Sequence, residues 1–243
     1  MEHAQIRSLA KELRLLGISH SLDRRLNEAN QEGLSASEVL LRILDDEKQY
    51  RRNLITKALE TKAKFRRDSL LENWDSSIER GISKTKLREL ASLNIWTTKK
   101  NLILVGPTGC GKTQLSIALG RAACQQGLSV SFMSVQQLLE EAQSEKACGR
   151  YSKWSQKIKK IDVLILDDFA LRPYTHNEGV LLVELLEDRY QKKIQIISSQ
   201  VDIDGWKTLF EDPVIADALV DRLKNPSERI QLLGGSYREK LGR

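Results

Sequence analysis

Apolar residues recur at helical spacing through the first third of the chain. From residue 101 they switch to short apolar runs separated by amphipathic stretches. Ile6, Leu9, Ala10, Leu13 and Leu16 predict a helix over Glu2–Leu16 that Gly17 ends, and Leu22 and Leu26 predict a second over Ser19–Ala29. After Gly33, with Ser35 or Ser37 as cap, a long helix carries Val39, Leu40, Ile43, Leu44, Tyr50, Leu54, Ala58 and Leu59 on one broad face. Ser83–Leu93 reads as a further helix with Ser83 as cap and Leu87, Leu90 and Ala91 inward. The later runs have strand length: Asn101–Val105, Ser129–Met133, Val163–Leu166, Ile194–Ser199 and a closing Ile230–Leu233. Between them lie helices starting at Lys112, over Val135–Ala142 and Tyr151–Ile158, and after a cap at Thr175 or Asn177, where Val180, Val183, Leu186 and Tyr190 face the sheet. Pro213–Leu223 is another, with Pro213 in its first turn and Val214, Ile215, Ala218 and Leu219 as its apolar face; Ser236–Leu241 is a last short one. Strand and helix alternate as in an α/β fold with a parallel sheet, preceded by a small all-helical domain.

The first strand runs straight into glycines and a lysine. Gly106-Pro107-Thr108-Gly109-Cys110-Gly111-Lys112-Thr113 matches the P-loop pattern in full, and the helix that follows carries Leu115, Ala118, Leu119, Ala122 and Ala123 at helical spacing. Glycines there let successive backbone N–H groups point at an anion. Lys112 then reaches the β- and γ-phosphates of a nucleotide, and Thr113 places its hydroxyl on Mg²⁺. A thiol within such a loop, that of Cys110, is expected near the surface, and no neighbouring histidine is there to activate it.

Ile161–Phe169 adds the acids. Val163–Leu166 is a buried strand with Asp167 and Asp168 at its C-terminal end, the end at which open α/β sheets bind ligands. Asp167 is placed to hold Mg²⁺ or its water and Asp168 to polarise the attacking water; a phosphate clamp, a metal ligand and a water-orienting carboxylate are parts that phosphoryl transfer requires. The Ile194–Ser199 strand ends in Ser198, Ser199 and Gln200, where a polar side chain bonds the γ-phosphate or merely caps the strand. Arg222 closes a helix more than fifty residues after the acidic strand, either paired with Asp221 or Asp217 or acting outside its own subunit.

Charge changes the picture for the N-terminal part. Residues 1–100 hold 20 Lys/Arg against 15 Asp/Glu and residues 101–243 hold 19 against 18, so the excess precedes the P-loop strand. Lys48, Arg51, Arg52, Lys57, Lys62, Lys64, Arg66 and Arg67 cluster at the end of the long helix, as a nucleic-acid face or an ordinary solvated one. Arg150, Lys153, Lys157, Lys159 and Lys160 form a second patch that faces a nucleic acid or a neighbouring subunit. Phe65, Trp74, Ile78 and Trp96 offer a stacking platform for bases, pin the linker to the core, or line an adenine pocket. The division expected is residues 1–66 as a basic helical domain, 67–100 as linker and entry helix, and 101–243 as the α/β domain. There is no run of 18 apolar residues and no basic-then-apolar leader, which argues against a membrane span or signal peptide. Three cysteines without a C-x-x-C pair indicate neither a disulfide framework nor a zinc site, and a reducing cytoplasm is the economical assumption.

With these residues in place, the chain resembles the AAA+ ATPases. Within them it resembles the branch of replicative helicase loaders and the IstB-type helper ATPases of bacterial transposons. The P-loop and acidic strand carry the wider resemblance; the helical first 65 residues, the short Phe65–Trp74 approach and the ending Gly234-Gly235-Ser236-Tyr237-Arg238 carry the narrower one. It implies an AAA+ P-loop core around a parallel sheet, with Gly106–Thr113 as Walker A and Val163–Asp168 as Walker B. Asp168 stands where most AAA+ proteins have glutamate. The resemblance also implies Gln200, with Ser199 as rival, as the polar sensor, Arg222 as the arginine finger of an Asp-Arg-Leu element, and Arg238 as a second sensor arginine. The expected cofactors are ATP and Mg²⁺, and the expected partners are double-stranded DNA, a cognate transposase and further copies of the chain, joined head to tail in a ring or helical filament. Such a protein is cytoplasmic and nucleoid-associated in a bacterium. The rival readings are a helicase loader on single-stranded DNA and an ATP-driven protein-interaction switch that touches no DNA.

Overall fold

The computed structural model describes residues 2–75 and 80–235, with the backbone alone of 93–95. Contacts divide the chain into two units, Met1–Ala58 and Leu59–Arg243.

The first unit is helical, with α1 (Glu2–Glu12), α2 (Leu16–Glu32) and most of α3 (Ala36–Ala63). Ser35 caps α3: its hydroxyl accepts from the Glu38 N–H at 3.4 Å, and the Glu38 carboxylate accepts from the Ser35 N–H at 2.8 Å. Gly17 does not end a helix; it lies in the first turn of α2, where a Cβ would sit 2.7 Å from Glu47 Cα, so its bare backbone lets α2 and α3 approach closely. The reversal comes earlier, at Arg14, whose φ is 58°. Buried Glu47 accepts from the Ile18 N–H at 3.1 Å, closing the N-terminus of α2. Arg25 clamps Asp46 through two bonds of 2.7 Å and holds that carboxyl below the usual range. Of the broad face expected on α3, Ile43 is buried whereas Leu40, Leu44 and Leu54 are exposed.

The second unit is built on a five-stranded parallel sheet of β1 (Asn101–Val105), β2 (Val130–Ser134), β3 (Val163–Phe169), β4 (Ile194–Ser199) and β5 (Ser227–Gln231), in the order β2-β3-β4-β1-β5. Alternation of side chains divides it into two apolar layers. Ile103, Val105, Leu164, Leu166 and Ile197 pack with α7 (Val135–Ala147), α8 (Tyr151–Lys160), α9 (His176–Glu187) and α10 (Pro213–Lys224). Leu102, Leu104, Val163, Ile165 and Ile196 pack with α6 (Lys112–Gln125) and with Trp74, Leu87, Leu90 and Trp96 from the segment containing α4 (Lys84–Ala91) and α5 (Leu93–Thr98). The linker aromatics Trp74 and Trp96 are thus core residues, 5% and 3% exposed.

Two expectations are corrected and one alternative is resolved. β5 begins at Ser227 rather than Ile230, because it pairs with β1 from Asn101↔Ser227 to Val105↔Gln231 as an edge strand that tolerates polar residues. Val180 and Val214 are exposed; α9 turns Leu181, Leu182, Leu185 and Leu186 inward, and α10 turns Ala216, Leu219, Val220 and Leu223, in each case the fuller apolar stripe. Of the two caps open for α9, Thr175 takes the role in a complete capping box with Glu178. Ile78, Arg238 and the helix expected over Ser236–Leu241 lie outside the described residues.

One buried cation ties this unit together. Arg189 is fully buried and donates to the carbonyls of Ile158 and Ile161 at 2.8 and 2.7 Å and of Ile194 at 3.0 Å, joining the end of α8 to the starts of β3 and β4. Burial lowers its pKa to about 10. Replacing it by Met strands three carbonyls, each worth about 1–3 kcal/mol when buried unpaired, against relief of a desolvated charge. We expect Arg189→Met to lose about 3 kcal/mol and to melt roughly 6–12 °C lower, measured by thermal unfolding of the full chain. A shift under about 2 °C would deny Arg189 this joining role.

Candidate functional site

β1 ends at Val105 and the loop begins with Gly106, whose N–H donates to the Ser199 carbonyl at 3.3 Å, so the loop is tied to β4 from its first residue. A Cβ on Gly106 would lie 2.4 Å from the Leu232 carbonyl, so β5's continuation requires glycine there. Gly111 has φ of 103°, a left-handed geometry at the N-cap of α6 that a side chain would strain. The Lys112 ammonium is buried and donates to the Gly106 and Pro107 carbonyls at 2.7 and 2.9 Å. It therefore sits within the turn of the loop, beside the N-terminus of α6, where helix dipole and lysine both favour an anion. The Cys110 thiol, expected near the surface, is 1% exposed because its sulfur packs inward against Gly106.

The parallel sheet brings the acids to the same edge. The Thr113 hydroxyl lies 2.9 and 3.1 Å from the two Asp167 carboxylate oxygens and donates to them. Asp167 is buried and Asp168 exposed. A third residue, Ser198, completes this network: its hydroxyl donates to Asp167 Oδ1 and accepts from the Asp168 N–H at 3.2 Å. Ser198 is one of three polar residues at the end of the Ile194–Ser199 run, and the sequence signal for it is the period of two along β4, which puts Ser198 and Gln200 on one side and Ser199 on the other. Gln200 Oε1 accepts from the Thr108 hydroxyl at 2.7 Å and so reaches the loop. Ser199 is fully buried, its hydroxyl accepting from the Trp206 indole at 3.2 Å and the Val201 N–H at 3.1 Å, away from the loop.

The described residues contain no cluster of three His, Cys, Asp or Glu able to hold a metal ion. The donors at hand are a hydroxyl and a carboxylate, the hard oxygens suited to Mg²⁺, which takes few protein ligands and completes its shell with phosphates and water.

Behind the loop stands an aromatic wall. A Cβ on Gly111 would lie 3.2 Å from the Trp74 ring and 3.1 Å from an Arg80 Nη, and the Arg80 guanidinium stacks 4.4 Å from the centroid of that ring. Trp74 also lines a cavity of about 660 Å³ with Leu71, Leu87, Arg88 and Ala91. Arg80, which follows no recognisable pattern, was not legible in the sequence.

Arg222 lies apart from this assembly. Its Nε donates to Glu187 of α9 and its Nη1 to the Ala218 carbonyl at 2.7 Å, so its ion pair is with neither Asp221 nor Asp217. Asn101 fixes its place: the side-chain amide donates to the carbonyls of Arg222 and Leu223 at 3.3 and 3.1 Å. Asn101 begins β1 and the loop follows its end, about 13 Å away at the usual strand rise. Arg222 stands at the opposite end of the sheet from its own loop.

The basic candidates are exposed. In the first unit these are Lys48, Arg51, Arg52 and Lys57, with Arg51 bonded to Glu47 at 2.7 Å. In the second they are Lys62, Lys64, Arg66, Arg67, Arg150, Lys153 and Lys157; Arg66 lies over the Phe132 ring and Arg150 pairs with Glu145 at 2.9 Å. Lys159 pairs with Asp188 at 2.6 Å.

The model of the IstB-like ATP binding protein family matches residues 8–243. A Sinorhizobium fredii protein named as an insertion sequence ATP-binding protein is 32% identical over 229 residues, 94% of each chain. A Mycobacterium tuberculosis protein named as an ATP-binding protein in an insertion sequence is 33% identical over 240 residues, 97% of this chain and 94% of its own. Among solved structures, AMPPCP-bound DnaA from Aquifex aeolicus superposes with a TM-score of 0.58 at 18% identity, covering 73% of this chain and 54% of that one. The DnaC helicase loader gives 0.52 at 18% identity, covering 61% and 87%. These likenesses establish an AAA+ P-loop fold. No helix among the described residues is long and apolar enough to cross a membrane.

Proposed function

Because this chain belongs to the IstB-like ATP binding protein family, we propose that it is a Mg²⁺-dependent ATPase that assembles head to tail on double-stranded DNA, largely regardless of sequence, and assists a transposase. The observation that carries this reading is the separation within one protomer. The loop, Lys112, Thr113, Asp167 and Asp168 gather at one end of the sheet, and Arg222 stands at the other.

In this reading the N–H groups from Gly106 to Thr113 and the Lys112 ammonium bind the phosphates, and Thr113 and Asp167 would hold Mg²⁺. The ion held there would supply charge neutralisation on the phosphates. Asp168, exposed beside Asp167, orients the attacking water as its proton acceptor. Gln200 senses the γ-phosphate, since Ser199 is committed to Trp206. The charge that develops on the transferred phosphoryl group calls for a further cation, and Arg222 of a neighbour provides it. A contact in which one protomer's finger meets the next one's loop is head to tail, so it closes into a ring or grows as a filament. Assembly sets the exposed basic side chains, Lys48, Arg51, Arg52 and Lys57 with Lys62, Lys64, Arg66, Arg67, Arg150, Lys153 and Lys157, along a polyanion. The names of the relatives, insertion-sequence proteins, support a transposase as the protein partner.

The test mixes the full chain with duplex or single-stranded DNA of unrelated sequence, with ATP, ADP or neither, and follows complex size by light scattering. We expect large assemblies on the duplex with ATP, with affinity falling steeply as salt rises. Stronger assembly on single strands would replace this reading with a helicase loader, and no binding at moderate salt would leave a switch acting on a protein partner.

A further inference from the structure

We propose that Ser198 is a positioning residue for hydrolysis: its hydroxyl pins a β-bulge that brings two consecutive carboxylates, Asp167 and Asp168, to the same end of the site. The proposal rests on the reading of this site as an ATPase.

β3 and β4 pair in register as far as Leu166↔Ile197 and again at Phe169↔Ser199. Two residues of β3, Asp167 and Asp168, therefore stand opposite one residue of β4, Ser198. In an unbroken strand, consecutive side chains leave on opposite faces, and two acids in a row would serve two different surfaces. The bulge interrupts that alternation at Asp168. Asp168 takes φ of 56°, the left-handed region, and its side chain is exposed while that of Asp167 stays buried against Thr113.

Asp168's N–H, shifted off the ladder, is met by the Ser198 oxygen at 3.2 Å, and the hydrogen of the same hydroxyl goes to Asp167 Oδ1. A single fully buried group accepts from one acid's backbone and donates to the other acid's side chain. Serine is the smallest residue able to do both. Alanine does neither, while threonine retains the hydroxyl. Ser198 need not touch nucleotide; it fixes the angle between a metal-holding and a water-orienting carboxylate, which belong to adjacent residues of one strand.

The experiment compares the unaltered chain with Ser198→Ala and Ser198→Thr as full chains. Equilibrium binding of a fluorescent ATP analogue is measured without Mg²⁺ and across a Mg²⁺ titration, followed by steady-state hydrolysis. Residues that orient a metal ligand typically change metal affinity or activity 10–100-fold. For Ser198→Ala we expect Mg²⁺-free binding within about twofold of the unaltered chain, and a Mg²⁺ midpoint raised about tenfold. The same variant should show kcat lowered about 10–100-fold with KM for ATP little changed. Ser198→Thr should recover most of both losses. An unchanged Mg²⁺ midpoint and kcat in Ser198→Ala would overturn the proposal. So would a threonine variant as impaired as alanine, or a loss of Mg²⁺-free binding matching the loss of kcat, which marks general collapse of the site. Failure of the unaltered chain to bind the analogue or respond to Mg²⁺ would instead bring down the ATPase reading, and this proposal with it.

Discussion

Arg222→Ala is expected to bind ATP as the unaltered chain does and to hydrolyse it about 10³-fold more slowly or worse, the range that arginine fingers supply to phosphoryl transfer. The affinity should hold because Arg222 is anchored beside Asn101 at the start of β1, a strand's length from its own loop. It bonds there to Glu187 and Ala218, and neither belongs to the nucleotide site. In the proposed assembly, turnover stimulated by DNA would depend on neighbours being in register, and it should fall most. Normal turnover in steady-state assays at several protein concentrations would remove Arg222 from the mechanism.

Lys112→Ala is expected to abolish ATP-dependent assembly on DNA, seen as the disappearance of large complexes in the presence of ATP. The side chain lies buried in the loop, and in the proposed function it supplies the charge that holds the β- and γ-phosphates. The substitution also leaves the Gly106 and Pro107 carbonyls without their donor, so thermal unfolding must accompany the assay to separate a lost ligand from a loosened loop. The two variants test each other. Lys112→Ala keeps an intact finger and Arg222→Ala an intact loop, so mixing them should restore part of the activity that neither has alone. Mixtures as inactive as their components would contradict catalysis across protomers.

The sheet was legible in the sequence because its strands are apolar runs too short for a buried helix and bounded by polar or glycine-rich stretches, as Val163–Leu166 and Asn101–Val105 show. Where the pattern was weaker, the edges moved. β5 starts in the polar Ser227–Arg229 because an edge strand is not required to be apolar, and Gly17, read as a stop, serves a helix crossing. In the site, the loop and the acids were legible because their chemistry fixes residue type and spacing together. Ser198 was not singled out, since a serine at a strand end has many uses; only the register of β3 on β4 shows two residues facing one. Ser199 and Gln200 stayed equivalent until alternation along β4 was fixed by Ser199's bond to Trp206. Arg189 and Asn101 carry no sequence signature because each acts on backbone carbonyls, which any residue offers. The basic residues were legible as a cluster, while their pairings, such as Arg150 with Glu145, required coordinates.

Asn101 has one more consequence. Its side-chain NH₂ bonds the last turn of α10, while its side-chain oxygen accepts from the Gln195 N–H at 3.1 Å in β4, so a helix end and a neighbouring strand meet at a single buried side chain of β1. In the proposed head-to-tail assembly, the loop that receives a neighbour and the Arg222 that reaches the next one would then stand at the two ends of β1, with Asn101 holding the second of them to the sheet. A change at one contact would have a direct route through that strand to the other, so neighbouring protomers would act as a line of levers rather than as beads on a string.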